Sequence, residues 1–298
     1  MSGWRKSTIK SYNSYIKQFI DFCDSKGYDC CERNIKIILK FLNNLFKDNI
    51  GYSAINTARS ALSALFFDPP VGEHPLISRF MKGIFNLRPS KPRYSKIWNV
   101  STVLSFLEKW TPSRDLDLKQ LTLKTVMLTM LTSGQRCQTV HAFNLDHVEI
   151  SQTRMIFYVD KMLKHNSVKN MKNIIVLDAF CENRDICVIT YLKEYIERTK
   201  PLRKDRQLFL SWKTHKPISK DTLSRWIKQV LELSGIDTSI YKPHSTRSAS
   251  SSAAHQSLDI TSILKSAGWS SSRTFATFYN KPIEKSGSFS NAVLKNKA

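Results

Sequence analysis

Three short stretches near the C-terminal end gather side chains suited to chemistry on an anion. Lys242-Pro243-His244-Ser245-Thr246-Arg247 sets a histidine and an arginine three residues apart at the start of a helical pattern, on one face, where both can reach the same anion. Gly268-Trp269-Ser270-Ser271 and Phe278-Tyr279-Asn280 follow. Far upstream, Thr132-Ser133-Gly134-Gln135-Arg136 closes an apolar helical pattern with a glycine turn and delivers a second arginine. Taken singly, each piece is a weak signal. An H-x-x-R pair is more often a solvated helix face than a site. Arg136 alone reads as a helix-end cation, and Trp269 and Tyr279 as core aromatics with a polar edge. Their order and spacing on one chain give them weight.

These residues need a scaffold, and the hydropathy pattern draws one. Ile9, Tyr12, Tyr15, Ile16, Phe19, Ile20 and Phe22 recur at helical spacing up to Gly27. A second stripe runs from Ile35 to Phe46 and closes near Asn49-Ile50-Gly51. Ser53 is the expected N-cap of a third helix carrying Ile55, Ala58, Leu62, Leu65 and Phe66, stopped by Pro69-Pro70. A fourth helix fits 76–87. Four helices on short connections predict a small all-α domain over residues 1–87. Residues 88–97 hold two prolines and the cations Arg88, Lys91, Arg93 and Lys96, and read as an extended basic linker that could lie along a phosphate backbone.

Residues 98–298 are mixed. Helical patterns cover 100–110, 116–131, 186–198, 219–233, 246–254, 260–267 and 273–279. Two short strands, MIFYV at 155–159 and NIIVL at 173–177, flank a long basic loop, and Leu208-Phe209-Leu210 is a further short candidate. Beyond residue 282 only 289–294 carries a pattern. The expected fold class is therefore mainly α with a small β-sheet, the mixed α/β part holding all four polar stretches.

Composition narrows the partner. The chain has 298 residues, 46 Lys and Arg against 24 Asp and Glu, and a formal charge of +22. Residues 1–95 carry +8 and the remainder +14, so both parts suit a polyanion. No apolar run approaches the roughly 18–20 residues of a membrane span. Met1-Ser2-Gly3-Trp4-Arg5-Lys6 lacks the apolar core of a secretory signal, which points to an intracellular protein. The six cysteines form no C-x-x-C pair and no Cys/His group has zinc-finger spacing, so free, mostly buried thiols and no structural metal are expected.

Read together, the motifs resemble the tyrosine recombinase (integrase) family. Its signature is an Arg in a turn after a helix, a Lys in a β-hairpin, H-x-x-R, a His or Trp after Gly, then a Tyr. The matching positions are Arg136, a hairpin Lys, His244 with Arg247, Trp269 and Tyr279. Arg247 lies 111 residues after Arg136, Trp269 22 after Arg247, and Tyr279 10 after Trp269. The wording of 244–281 is most similar to recombinases of eukaryotic mobile elements of the Crypton and DIRS-like kinds. The resemblance implies an N-terminal helical core-binding (SAM-like) domain and a catalytic domain that close as a C-shaped clamp on double-stranded DNA. It implies a homotetramer on paired sites, with no metal, nucleotide cofactor or small-molecule substrate, acting in the nucleus if the host is eukaryotic.

The physical logic of that resemblance assigns roles. Tyr279 attacks the scissile phosphate and forms a 3′-phosphotyrosine, releasing a 5′-hydroxyl. Arg136 and Arg247 fork the non-bridging oxygens as charge develops. His244 takes or orients the tyrosine proton, a hairpin Lys protonates the departing oxygen, and Trp269 donates its indole N–H or packs the site. The phosphotyrosine is close in energy to the phosphodiester, so another strand's 5′-hydroxyl can reverse the step. Lys164 is favoured as the hairpin Lys, because Lys164-His165-Asn166 resembles the family's hairpin tip; Lys161 is the alternative. One position departs from the pattern: where the family usually has an acid three residues after the first Arg, this chain has Thr139. Two other readings stand beside the recombinase: a domesticated, inactive DNA-binding protein, and a type IB topoisomerase-like relaxing enzyme.

Overall fold

In the computed structural model, which describes residues 3–89, 94–160, 173–268 and 272–283, helices α1 (Lys6–Lys26), α2 (Ile35–Lys47), α3 (Tyr52–Leu65) and α4 (Pro75–Leu87) build the N-terminal unit. Gly27 ends α1 with φ 66°, a left-handed position that favours glycine. Asn34 caps α2 through its side chain, and Pro75 starts α4 behind the His74 ring, which accepts from the Leu76 N–H. Ser53, expected as a cap, lies inside α3: Gly51 is the N-cap, and its carbonyl accepts the Ala54 and Ile55 N–H groups. Phe19, Ile38, Phe41, Leu42, Ile55, Leu62, Ile77 and Ile84 form the core, with Phe19 edge-on to Phe41 at 5.3 Å.

The chain divides into compact units at Met1–Pro92 and Arg93–Ala298. The described ends of the expected linker are packed, each into its own unit. Arg88 Nη1 donates to the carbonyls of Phe46 and Ile50, its Nη2 donates to Asn49 Oδ1, and its guanidinium lies 4.3 Å over the Phe46 ring. Ile97 and Trp98 are buried in the second unit.

That unit runs α5 (Val100–Glu108), α6 (Leu118–Ser133), α7 (Cys137–His141), β1 (Val148–Ile150), β2 (Arg154–Val159), β3 (Asn173–Asp178), α8 (Val188–Thr199), α9 (Lys220–Leu233), α10 (Ser245–Ala254), α11 (Ile260–Ala267) and α12 (Ser272–Phe278). The strands form one antiparallel sheet in the order β1-β2-β3, with Phe157 opposite Ile175 and Val159 opposite Asn173. The alternation of β2 buries Met155, Phe157 and Val159 on one face. Two expectations differ. β1 is an added strand of three residues, too short to leave an alternation, and Leu208-Phe209-Leu210 contributes only an isolated bridge between Leu210 and Pro217. The 289–294 segment lies outside the described residues.

Helix α6 is the axis of this unit. Asp117 and Gln120 close a capping box at its start, and nearly every residue from Leu121 to Ser133 is buried. Its polar side chains are satisfied within the core. Thr125, Thr129 and Ser133 donate to carbonyls one turn back, and Lys124 Nζ donates to Trp110 O at 2.6 Å and Tyr191 Oη at 2.7 Å. Burial pushes the Lys124 ammonium down to about 8. Among the described residues no helix is long and apolar enough to cross a membrane. The six cysteines are free, as expected, but only Cys23 and Cys187 are buried; Cys31 and Cys181 are exposed.

Candidate active site

The first part of the site is a pinned turn. Helix α6 stops at Gly134, whose φ of 59° suits glycine, and the chain turns there to present Gln135 and Arg136. Gly134 O accepts Arg247 Nη1 at 2.7 Å, and Gln135 Nε2 donates to Ser266 O at 2.8 Å. The turn between α6 and α7 is thus bound to α10 on one side and to the end of α11 on the other.

Arg247 is fully buried on α10, whose start is held from below by Trp98 Nε1 donating to Ser245 Oγ at 2.9 Å. Burial, and then the like charge of Arg136, push the Arg247 guanidinium down to about 9. It remains cationic at neutral pH, so two guanidinium groups are held in mutual repulsion. An oxyanion between them would relieve that repulsion, and relief grows as its charge grows.

The second part is the tyrosine. Tyr279 follows α12 directly and donates its N–H to Phe275 O at 2.9 Å. Its hydroxyl stands 3.2 Å from His244 Nε2, and its ring centroid lies 5.5 Å from Arg247 Cζ. His244 is exposed and Tyr279 half-buried, so the phenol hydroxyl sits at the edge of the buried guanidinium. Helices α11 and α12 pack on a small cluster of their own, with Ile263, Ala267 and Phe275 buried. Beyond Tyr279 the chain returns to the start of the unit: Ile97 N–H donates to Pro282 O at 2.9 Å, and Ile97 pairs with Ile283.

Three of the site residues named from sequence therefore meet, His244, Arg247 and Tyr279, and Arg247 is bonded to Gly134 O in the turn that carries Arg136. Trp269, Lys164, Lys161, Lys91 and Arg93 lie outside the described residues. Strands β2 and β3 pair up to Val159 and Asn173. Lys96 is exposed, and its carbonyl faces the Tyr241 hydroxyl at 3.5 Å. Arg88, expected among the DNA-backbone contacts of the linker, has its fork turned onto carbonyls of its own unit. Thr139 is buried in α7, its N–H bonded to Arg136 O at 2.9 Å. Gln135 is read from sequence only as part of its turn, and two further contributors, Ser248 and Ser252, are not named from sequence. The serines stand four and eight residues after His244, a helical repeat visible in the sequence once His244 is taken as a site residue.

Comparison with protein families places this geometry. The model of the phage integrase family matches residues 99–285, and that of the phage integrase N-terminal SAM-like domain matches residues 1–68. The chain belongs to the phage integrase family, the tyrosine-type recombinases that break and rejoin DNA at specific sites. Comparison with curated protein sequences finds no match. Among solved structures, the chain is similar in fold to the XerH site-specific recombinase bound to palindromic difH substrate in a post-cleavage complex (TM-score 0.65, 15% identity, 89% of this chain and 74% of that one). It is similar to the Tn1549 transposon integrase in complex with circular intermediate DNA (TM-score 0.64, 11% identity, 100% and 95%). It is also similar to a lambda integrase tetramer bound to a Holliday junction (TM-score 0.58, 17% identity, 96% and 75%).

Proposed function

We propose that this recombinase cuts DNA with Tyr279 as nucleophile, in a pocket made by Arg136, Arg247 and His244. One observation carries the reading: the Tyr279 hydroxyl lies 3.2 Å from a histidine nitrogen, beside a buried guanidinium anchored to the Arg136 turn. In the reaction the phenol oxygen bonds to phosphorus, the 5′-oxygen leaves, and the phenol proton passes to His244. The two arginines stabilise the non-bridging oxygens of the transition state. Lys164, or Lys161 in its place, protonates the 5′-oxygen, and Trp269 completes the phosphate pocket. Lys91, Arg93 and Lys96 contact the DNA backbone, a role that fits the +22 charge.

The finer assignments rest on likeness. Solved relatives include a tetramer on a Holliday junction and a transposon integrase on circular intermediate DNA. We propose a homotetramer on paired sites, encoded by a mobile element of the Crypton or DIRS-like kind and acting in the nucleus of its host. The decisive experiment is trapping on a nicked suicide substrate. Wild type is expected to form a covalent protein–DNA adduct and Tyr279→Phe none. An adduct that persists in Tyr279→Phe overturns the nucleophile. Absence of an adduct with wild type, alongside intact binding, favours the inactive DNA-binding reading.

A further inference from the structure

The serines of α10 are used in two ways. Ser251 turns back on its own helix and donates to Arg247 O at 2.6 Å, the habit of a mid-helix serine. Ser248 and Ser252 reach outward instead. Both donate to one main-chain carbonyl, that of Tyr279, at 3.0 and 2.8 Å. Ser252 Oγ also accepts the Lys281 N–H at 3.0 Å, so its donor and one acceptor site are both used. His244, Ser248 and Ser252 are spaced by four and form a single stripe along α10. That stripe meets Tyr279 at both ends, hydroxyl on histidine and carbonyl on the serine pair. Both serines are buried, where water does not compete for their hydrogen bonds. Among the described residues, Ile263, Ala267 and Phe275 are the buried hydrophobic side chains of the same segment's cluster.

We infer that Ser248 and Ser252 are positioning residues for strand cleavage: they latch the main chain of Tyr279 to the helix that carries Arg247. The inference rests on Tyr279 being the nucleophile. Two hydroxyls on one carbonyl fix both the position and the direction of the main chain at that residue. The latch acts on the backbone at the residue that reacts, so the phenol hydroxyl is aimed by a lever only one side chain long.

The test is single-turnover adduct formation on a nicked suicide substrate by the full chain, with DNA binding and melting temperature measured on the same preparations. Ser248→Ala/Ser252→Ala is expected to form adduct about 10- to 30-fold more slowly, the effect of two buried hydrogen bonds, while binding DNA as wild type does. If the double variant fails to fold, Ser252→Ala alone carries the test, with a loss of about five-fold. Ser252→Thr, which keeps the hydroxyl, is expected to recover most of that loss. Adduct formation at the wild-type rate in the alanine variants overturns the latch. So does a rate loss matched by an equal loss of binding and melting temperature, which marks a merely structural role. A mixture of Tyr279→Phe and Arg247→Ala is expected to form no adduct; an adduct from that mixture means the tyrosine crosses between chains and overturns the inference. An adduct from Tyr279→Phe alone is a different failure, since it removes the nucleophile on which the latch depends.

Discussion

The two parts of the candidate active site are built in contrasting ways. The arginine side hangs on the main core of the second unit: α6 is buried nearly all round, Trp98 props the start of α10, and Arg247 is fully enclosed with its Nη1 on the Gly134 carbonyl. The tyrosine side rides on α11 and α12, whose cluster, among the described residues, has Ile263, Ala267 and Phe275 buried. Among the described residues it meets α10 through hydrogen bonds of Ser248, Ser252 and His244, through Ala254 packed on its cluster, and through His255 edge-on to Phe275 at the end of that helix. The difference follows what each part must do. A phosphate cradle works best when its dipoles and charges are fixed before reaction, because no reorganisation is then needed as charge develops. In the proposed reaction the tyrosine becomes covalently joined to DNA and is later freed from it, a task suited to contacts that can open at small cost.

The contrast can be broken or sharpened by experiment. The largest effect should come from the rigid side. Arg247→Ala removes the proposed phosphate donor and leaves Gly134 O without that partner, so adduct formation should fall by about 10²–10³-fold. Arg247→Lys should recover little, since an ammonium cannot fork two phosphate oxygens while reaching Gly134 O. Single-turnover cleavage measures both; near-wild-type cleavage by the alanine variant would sink the cradle.

Next comes the soft side. Phe275→Ala empties a buried site edge-on to His255 and should cost about 3 kcal/mol or more locally. Phe157→Ala removes a ring stacked on Phe143 in the main core. Hydrogen exchange should show the Phe275 variant opening α11 and α12 with the main transition nearly intact, and the Phe157 variant lowering the whole unit. Equal global losses in the two would erase the distinction.

A third test uses pH on the main core. Lys124 has a folded-state pKa of about 8 against an ordinary 10.5, so between those values the unfolded chain binds more protons than the folded one. Stability should therefore rise with pH across that window, by up to about 3 kcal/mol. The Lys124 component is absent in Lys124→Met, where Tyr191 Oη can still donate to Trp110 O at 3.2 Å. Denaturant titrations of both proteins at pH 7.5 and 9.5, the pH values chosen to lie about the shifted one, isolate this component as the difference between them. A wild-type slope no steeper than the variant's would refute it.

The smallest effect expected is anion binding to the cradle without DNA. Inorganic phosphate or sulfate should raise the melting temperature of wild type by about 1–3 °C through relief of the Arg136–Arg247 repulsion, and leave Arg247→Ala unmoved. Scanning fluorimetry at constant ionic strength decides it.

Much of this was legible from residues alone because the signals are local. The ranges of α1, α2, α4, α9 and α11 follow from apolar spacing and from caps such as Gly27 and Ser219 that sit within a few residues of what they stop. The strand pair β2–β3 came from two short β-branched runs. What local signals could not give was choice among equals. Ser53 and Gly51 are both acceptable caps, and the structure uses Gly51. Arg88 stands in a row of four cations, and only the nearness of Phe46 and Ile50 in space turns it inward. β1 has too few residues to alternate, and gains its identity from the register of β2 beside it.

The sequence by itself determined which groups are available: two arginines, a histidine and a tyrosine in a fixed order, on a chain charged for DNA. Side-chain type and chain order are enough for that, because chemistry belongs to the residue. Only the tertiary structure decided that Gly134 O receives the Arg247 guanidinium across 113 residues of chain, and that two serines of a small-residue run face the Tyr279 carbonyl while their neighbour Ser251 does not. Those are statements about which atoms become neighbours when cores close, and no local pattern records a neighbour that folding alone supplies.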